Sequence, residues 1–203
     1  DLYLYFLLAL NEYLAVTDHS GGLGITQGPK EADLPRQREA LRQAQARLGD
    51  RIRLLQGSEV EIRADGSLDF SDAALAELDI VVASMHVSLR QSREQVTARM
   101  LAAIANPHVD IIGHPTGRMI PDRSGADLDL DAVLAAAAQA GVALEINANP
   151  RRLDLSDVLA RRALEAGCLL SINTDAHRPE HFDFLAYGVA VARRAWADPE
   201  RII

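Results

Sequence analysis

The sequence is poor in several things. It has one cysteine, Cys168, so no disulfide can form within the chain, and a reducing, cytoplasmic setting is expected. It has one lysine, Lys30, among 21 basic residues; the other positive charges are arginines, whose planar forks suit bidentate phosphate contacts. The formal net charge of −8 argues against a dedicated nucleic-acid-binding surface, which would be basic. That balance instead suits a site rich in carboxylates that metal ions neutralise. No apolar run approaches the ~20 residues of a membrane-spanning helix, so no membrane partner is expected. No basic-then-apolar leader, Gly/Ser/Pro linker or low-complexity tract interrupts the 203 residues. The first residue is Asp1, in what reads as mid-strand. The chain is therefore expected to be a single domain over 1–203, cut from a longer protein.

What the sequence does contain is a repeating alternation. Short β-branched or apolar runs at 1–6, 13–18, 53–62, 79–86, 109–115, 143–148, 169–175 and, weakly, 187–192 read as strands. Helical patterns lie near 31–48, 72–78, 90–105, 130–140, 155–166 and 179–186. The helix ends are punctuated. Asn106-Pro107 closes one helix, Gly141 and Gly167 sit just past two others, and Asp154 or Ser156 can cap the start of 155–166. Val96, Met100 and Ile104 fall four apart and should form a buried stripe. Repeated strand–helix–strand units with apolar strands predict an α/β fold with a parallel sheet, closed into a barrel or left open and doubly wound. One connection is too short. Only five residues separate Phe6 from Glu12, whereas a parallel crossover needs about ten.

The chemistry stands where strands end. His19 follows YLAVTD, Glu59 lies in LLQGSEVEI, His86 closes DIVVASMH, His114 closes VDIIGH, and Asp175 and His177 close LLSINTDAH. In a parallel barrel every strand C-terminus points to one face, so four of the six histidines and two carboxylates should converge. Imidazoles and carboxylates without cysteine point to zinc, manganese or iron. His108 precedes a strand and should lie on the opposite, structural face. His181 reads as a helix start or loop, Cys168 as a small buried side chain and Lys30 as solvent-exposed. Arg90, Arg118, Arg151 and Arg152 flank the same face, as phosphate clamps or as solvated helix-start residues. Asn147 and Asn149 suit either ligand orientation or loop hydrogen bonding.

Together LAVTDHS, the GSE glutamate, ASMH, DIIGHPTGR, LEINANPRRLDLSD, SINTDAH and YGVAVARRAW resemble the PHP domain (polymerase and histidinol phosphatase). They are most similar to the version at the carboxyl end of bacterial family X DNA polymerases. The resemblance runs from Glu12 to near the end of the chain. It implies a distorted seven-stranded TIM-like (β/α) barrel whose cleft holds up to three manganese or zinc ions and hydrolyses phosphoesters. In the polymerase-linked members the expected activity is a 3′→5′ exonuclease in DNA repair, acting on a DNA 3′ end beside the polymerase domains of the parent chain. The ligand positions that match are His19, Glu59, His86, His114, Asp175 and His177, the set already reached from strand ends. The opening motif departs from the family. Its Asp-Leu-His-x-His-Thr stands here as Asp1-Leu2-Tyr3-Leu4-Tyr5-Phe6. The ion that both histidines would bind keeps only Glu59 and Asp175. The ion held by Glu59, His86 and His114 keeps its full set, and the third keeps His19 and His177. Fewer than three ions are therefore expected. The implied mechanism is hydrolytic, with Arg118 or Arg151 beside the developing negative charge and His19 or His177 as proton donor. The rival readings are a catalytically degenerate structural or interaction domain, motivated by Tyr3 and Tyr5, and a histidinol-phosphate-type phosphatase acting on small molecules.

Overall fold

The computed structural model describes residues 13–22 and 28–203. The strand expected over 1–6, with Tyr3 and Tyr5, and the short 6–12 connection lie outside the described residues. Six strands follow in chain order: β1 (Tyr13–His19), β2 (Arg53–Glu61), β3 (Ile80–Ser84), β4 (Ile111–Ile112), β5 (Ala143–Asn147) and β6 (Leu170–Asn173). They form one sheet in the order β1-β2-β3-β4-β5-β6, with every pair parallel. The helices between them are α1 (Leu34–Leu48), α2 (Asp72–Leu75), α3 (Arg93–Ile104), α4 (Leu130–Ala140) and α5 (Asp157–Glu165). After β6 come a 3₁₀ segment, Pro179–Phe184, and α6 (Leu185–Arg194). Strictly sequential order is what repeated right-handed crossovers in one direction produce, and it excludes the doubly wound alternative, in which the order reverses. The parallel α/β architecture is as expected; the described sheet has six strands rather than seven.

Strand parity separates the two faces of the sheet. Val60, Ala83, Ile112, Leu144 and Leu170 pack with Leu34, Val96, Met100, Val133, Ala160 and Ala192 of the helices in the main core. Val82, Ile111 and Ala143, with Ile80 and Leu169, form a second cluster made only of residues from the sheet strands and their edges. The helices thus cover one face, as in a barrel wall. Towards the C-terminal ends, the other face turns polar. Two residues on from the small cluster in each strand stand Ser84, Glu145 and Ser171, all buried, with Glu59 and Glu61 in β2. That change of polarity along one face places the site at a single end of the sheet.

Local signals act as the sequence predicts. Ser156 caps α5 by accepting from the amide of Leu159, and Gly141 (φ 73°) ends α4 in the left-handed conformation; Ser92, not singled out in the sequence, caps α3 by accepting from Gln95 N. Val96, Met100 and Ile104 are all buried. The weak strand at 187–192 is corrected: these residues lie in α6. Val189 and Val191 imitate a strand's alternation, but Gly188 and Ala192, four apart, are the buried positions. A Cβ on Gly188 would come within 2.4 Å of the Ile172 Cγ2 and 2.9 Å of the Ala148 Cβ, so the absent side chain lets the helix lie close against β5 and β6.

Candidate metal centre

The register sets the site. β1 pairs with β2 so that His19 stands beside Glu59. Glu59 is the hub. Its Oε1 lies 2.9 Å from His114 Nε2 and 3.3 Å from His86 Nε2, and its Oε2 lies 3.2 Å from His19 Nδ1. One carboxylate is thus ringed by three imidazoles from the ends of three other strands. Burial disfavours charge on Glu59, yet the hydrogen bonds and charges of His114 and His86 outweigh it and hold the carboxyl well below its ordinary value. His19 goes the other way: burial lowers its pKa, opposed by the Glu59 charge, and so favours the neutral imidazole.

His86 is oriented from behind. Glu61, two residues after Glu59, puts Oε2 2.6 Å from His86 Nδ1, and its carboxylate also accepts the amides of His86 and Val87. This fixes the proton on Nδ1 and turns Nε2 towards Glu59. Burial works against protonation of His86, but the neighbouring carboxylates of Glu59 and Glu61 win and push its pKa up to about 9. Arg99 of α3, 2% exposed, braces the same corner. Its guanidinium donates to the carbonyls of Ile62 and Arg63, just past Glu61, and of Val87 and Ser88, just past His86.

His114 is held by Glu145, whose Oε2 accepts its backbone amide at 2.5 Å and the Asn147 Nδ2 at 3.2 Å, while Oε1 accepts Asn173 Nδ2 at 2.8 Å. Burial pushes Glu145 up to about 7, against the pull of His114 and with the help of the Glu59 charge. His114 (φ 28°) and Asp175 (φ 52°) have left-handed backbones, a strain of about 1–3 kcal/mol each that the surrounding bonds must sustain. The GHPTG loop after β4 is tied by Asp154, which accepts Thr116 N, Thr116 Oγ1 and Gly117 N.

The remaining expected residues sit around this core. Asp175 Oδ2 is 3.3 Å from Arg152 Nε and 3.2 Å from Asn147 Nδ2. His177 is more than half exposed, with its ring 5.8 Å from that of His19. Arg118 does not reach freely into the cleft, because its guanidinium donates to the carbonyls of Arg152 and Leu153. Arg151 pairs with Asp122 at the exposed surface, 2.5 Å away. Of these arginines, Arg152 meets an expected ligand. Glu61, Glu145, Asn173 and Arg99 did not stand out from strand ends alone. The signal for the first three is parity, since each lies an even number of residues from a site residue on the same strand face.

The donor set fits a divalent metal. One ligand atom each from His19, Glu59 and His86 lie within 4.8 Å of one another. His19 Nδ1 and His86 Nε2 are buried and face only the Glu59 carboxylate, 3.2 and 3.3 Å away, without a well-formed hydrogen bond, an arrangement that a bound cation would satisfy better. Two imidazole nitrogens and a carboxylate oxygen suit zinc or manganese better than calcium.

The fold and this strand-end cluster define an α/β protein of parallel half-barrel type with a candidate metal site at the C-terminal end of its sheet, and comparison with known proteins gives its family. No family model matches the chain. It is 41% identical over 192 residues to the Bacillus subtilis (strain 168) DNA polymerase/3′-5′ exonuclease PolX, covering 95% of this chain and 34% of that protein. It is 35% identical over 181 residues to a probable phosphatase of Shewanella halifaxensis, covering 83% of this chain and 70% of the relative. Its fold matches that of a histidinol phosphate phosphatase from Lactococcus lactis, solved with zinc, L-histidinol and phosphate. That match has a TM-score of 0.68 and 16% identity, over 97% of this chain and 87% of the other. The chain belongs to the PHP family of phosphoesterases. It spans about a third of the length of the Bacillus relative.

Proposed function

We propose that the chain is a metal-dependent phosphoesterase acting on DNA 3′ ends, a 3′→5′ exonuclease module within a longer polymerase-containing protein. The carrying observation is the Glu59 carboxylate ringed by His19, His86 and His114, with two of the ring nitrogens buried and lacking a well-formed hydrogen bond. The 41% identity to a polymerase/exonuclease, over 95% of this chain, supports the DNA substrate and the polymerase partner. His19, Glu59, His86 and His114 would hold manganese or zinc, with Asp175 and His177 at the rim. A bound divalent cation supplies a water of lowered pKa and Lewis-acid polarisation of the phosphoryl oxygens.

The chain's own residues do the rest. Glu61 keeps the His86 proton on Nδ1 and its other nitrogen facing the cleft. Glu145 holds the His114 backbone amide, and Asn147 holds the Asp175 carboxylate. Arg152, beside Asp175, brings positive charge to the place where negative charge develops on phosphate. Arg118 supports this by fixing the carbonyls of Arg152 and Leu153. His177, exposed at the mouth and bonded through Nδ1 to the Asp175 carbonyl, 3.0 Å away, would give a proton from its other nitrogen to the leaving oxygen. The test is manganese-dependent shortening of a 5′-labelled single-stranded oligonucleotide. Stepwise loss from the 3′ end that disappears in His114→Ala is the expected result; no shortening by the wild-type protein, or undiminished shortening by the variant, overturns the proposal.

A further inference from the structure

A line of aromatic rings leaves the metal cluster, and beyond His177 it is not used by the chemistry above. His177 stands 5.8 Å from His19, His181 is 6.5 Å from His177, Phe184 is 4.9 Å from His181 with its plane tilted by 23°, and Tyr187 is 6.1 Å from Phe184. The sequence spacing explains the alignment. Positions 181, 184 and 187 are three apart, and the 3₁₀ segment running into α6 keeps them on one side. Within α6, Gly188 and Ala192 are the buried positions that pack on the sheet, and Tyr187 is left at the surface. The line begins at the partly buried His19 and ends on Tyr187, which is 51% exposed. Beyond Phe184, Tyr187 forms one wall of an open cleft of about 270 Å³ that Leu153, Val191, Arg118 and Arg194 complete.

We infer that His181, Phe184 and Tyr187 are a track for the unpaired strand of DNA, receiving the bases upstream of a 3′ end held at the metal cluster. The inference rests on the phosphoesterase reading and adds a polymer subsite to it. Every base has a π face, so stacking on such rings is tolerant of sequence, as removal of successive nucleotides requires. Arg178, exposed beside His177 and without an ion pair to any described residue, can meet a backbone phosphate; Arg118 adds charge at the cleft wall. Arg194 is already paired with Asp157, 2.7 Å away. Continuity with the metal cluster favours the substrate strand over a partner protein as occupant. A chain of net charge −8 gains little from phosphates and has reason to rely on stacking.

The experiment uses the full-length protein with manganese, no deoxynucleoside triphosphates, and oligothymidylates from dinucleotide to octamer. Wild-type KM should fall as length increases over the first few nucleotides. Tyr187→Ala should raise KM for the octamer about tenfold and flatten the length dependence, acting on KM rather than kcat, and Tyr187→Trp should restore it. The same length dependence in wild type and Tyr187→Ala overturns the inference, and does so decisively if the variant loses association with a protein instead. If wild type cleaves no oligonucleotide, the phosphoesterase reading fails. The track is then judged by fluorescence anisotropy of labelled octathymidylate: weaker binding by Tyr187→Ala supports it, and equal binding or none by wild type overturns it.

Discussion

Replacing Glu61 by glutamine isolates the role of the carboxylate behind His86. Glu61 lies 2.6 Å from His86 Nδ1 and is one of two carboxylates that, against the cost of burial, raise the His86 pKa to about 9. In the metal-free protein His86 is therefore protonated at neutral pH, and a cation that binds Nε2 must displace that proton. Apparent affinity should rise about tenfold per pH unit and level near pH 9, so that from pH 7 the gain is about 100-fold. In Glu61→Gln two changes act in opposite directions. The imidazolium loses a counter-charge, its pKa drops, and the rising limb levels at lower pH. The neutral imidazole is less basic and less firmly oriented, which should lower the plateau affinity about 10–100-fold. The variant's deficit is therefore greater at pH 9 than at pH 7. Competition for zinc or manganese against a chromophoric chelator, followed across this range, measures both. Wild-type affinity in the variant at pH 9, or a deficit that does not change with pH, would refute the reasoning.

Two further outcomes follow from the same coordinates. His86 has a folded pKa raised from 6.5 to about 9, so its contribution to stability is fully present below about pH 6.5 and is lost as pH rises through 9. The melting temperature of metal-free protein should fall across that window, by an amount corresponding to at most roughly 3 kcal/mol; scanning fluorimetry in chelator checks it, and a flat profile counts against the arrangement around Glu59. Gly188→Ala sets a helix-propensity gain of up to ~1 kcal/mol against overpacking of ~1–3 kcal/mol. The Ile172 methyl at 2.4 Å can rotate away but the Ala148 Cβ at 2.9 Å cannot, so net destabilisation is expected in a denaturant midpoint, and a stabilised variant would show that α6 does not press on β5.

Much of this protein is legible without coordinates, and the exceptions have physical causes. The β/α alternation shows because the helix-facing side of most strands is apolar and because Ser156, Gly141 and Gly167 mark helix ends with residues suited to those backbones. The stretch 187–192 misleads because alternating valines and alanines fit either period, and the choice depends on the space above Ala148 and Ile172 that only Gly188 allows. Glu61 and Glu145 were open to a parity argument, since both lie inside strands on the face that carries Glu59 and Asn147. Arg99 was not, because an arginine on a helix usually points to water, and its burial depends on four carbonyls from two distant loops.

The sequence by itself determined that ligand-type residues stand at the ends of successive strands, and parallel pairing then makes them neighbours whatever the details. Tertiary structure alone decided which atoms face one another. Glu59 became the hub, Glu61 took the far nitrogen of His86, and Arg152 met Asp175 while the adjacent Arg151 turned out to Asp122. The physical reason is range. Strand ends are written in local runs of a few residues, whereas the direction of an imidazole or guanidinium is fixed by register and loop path among segments that lie tens of residues apart.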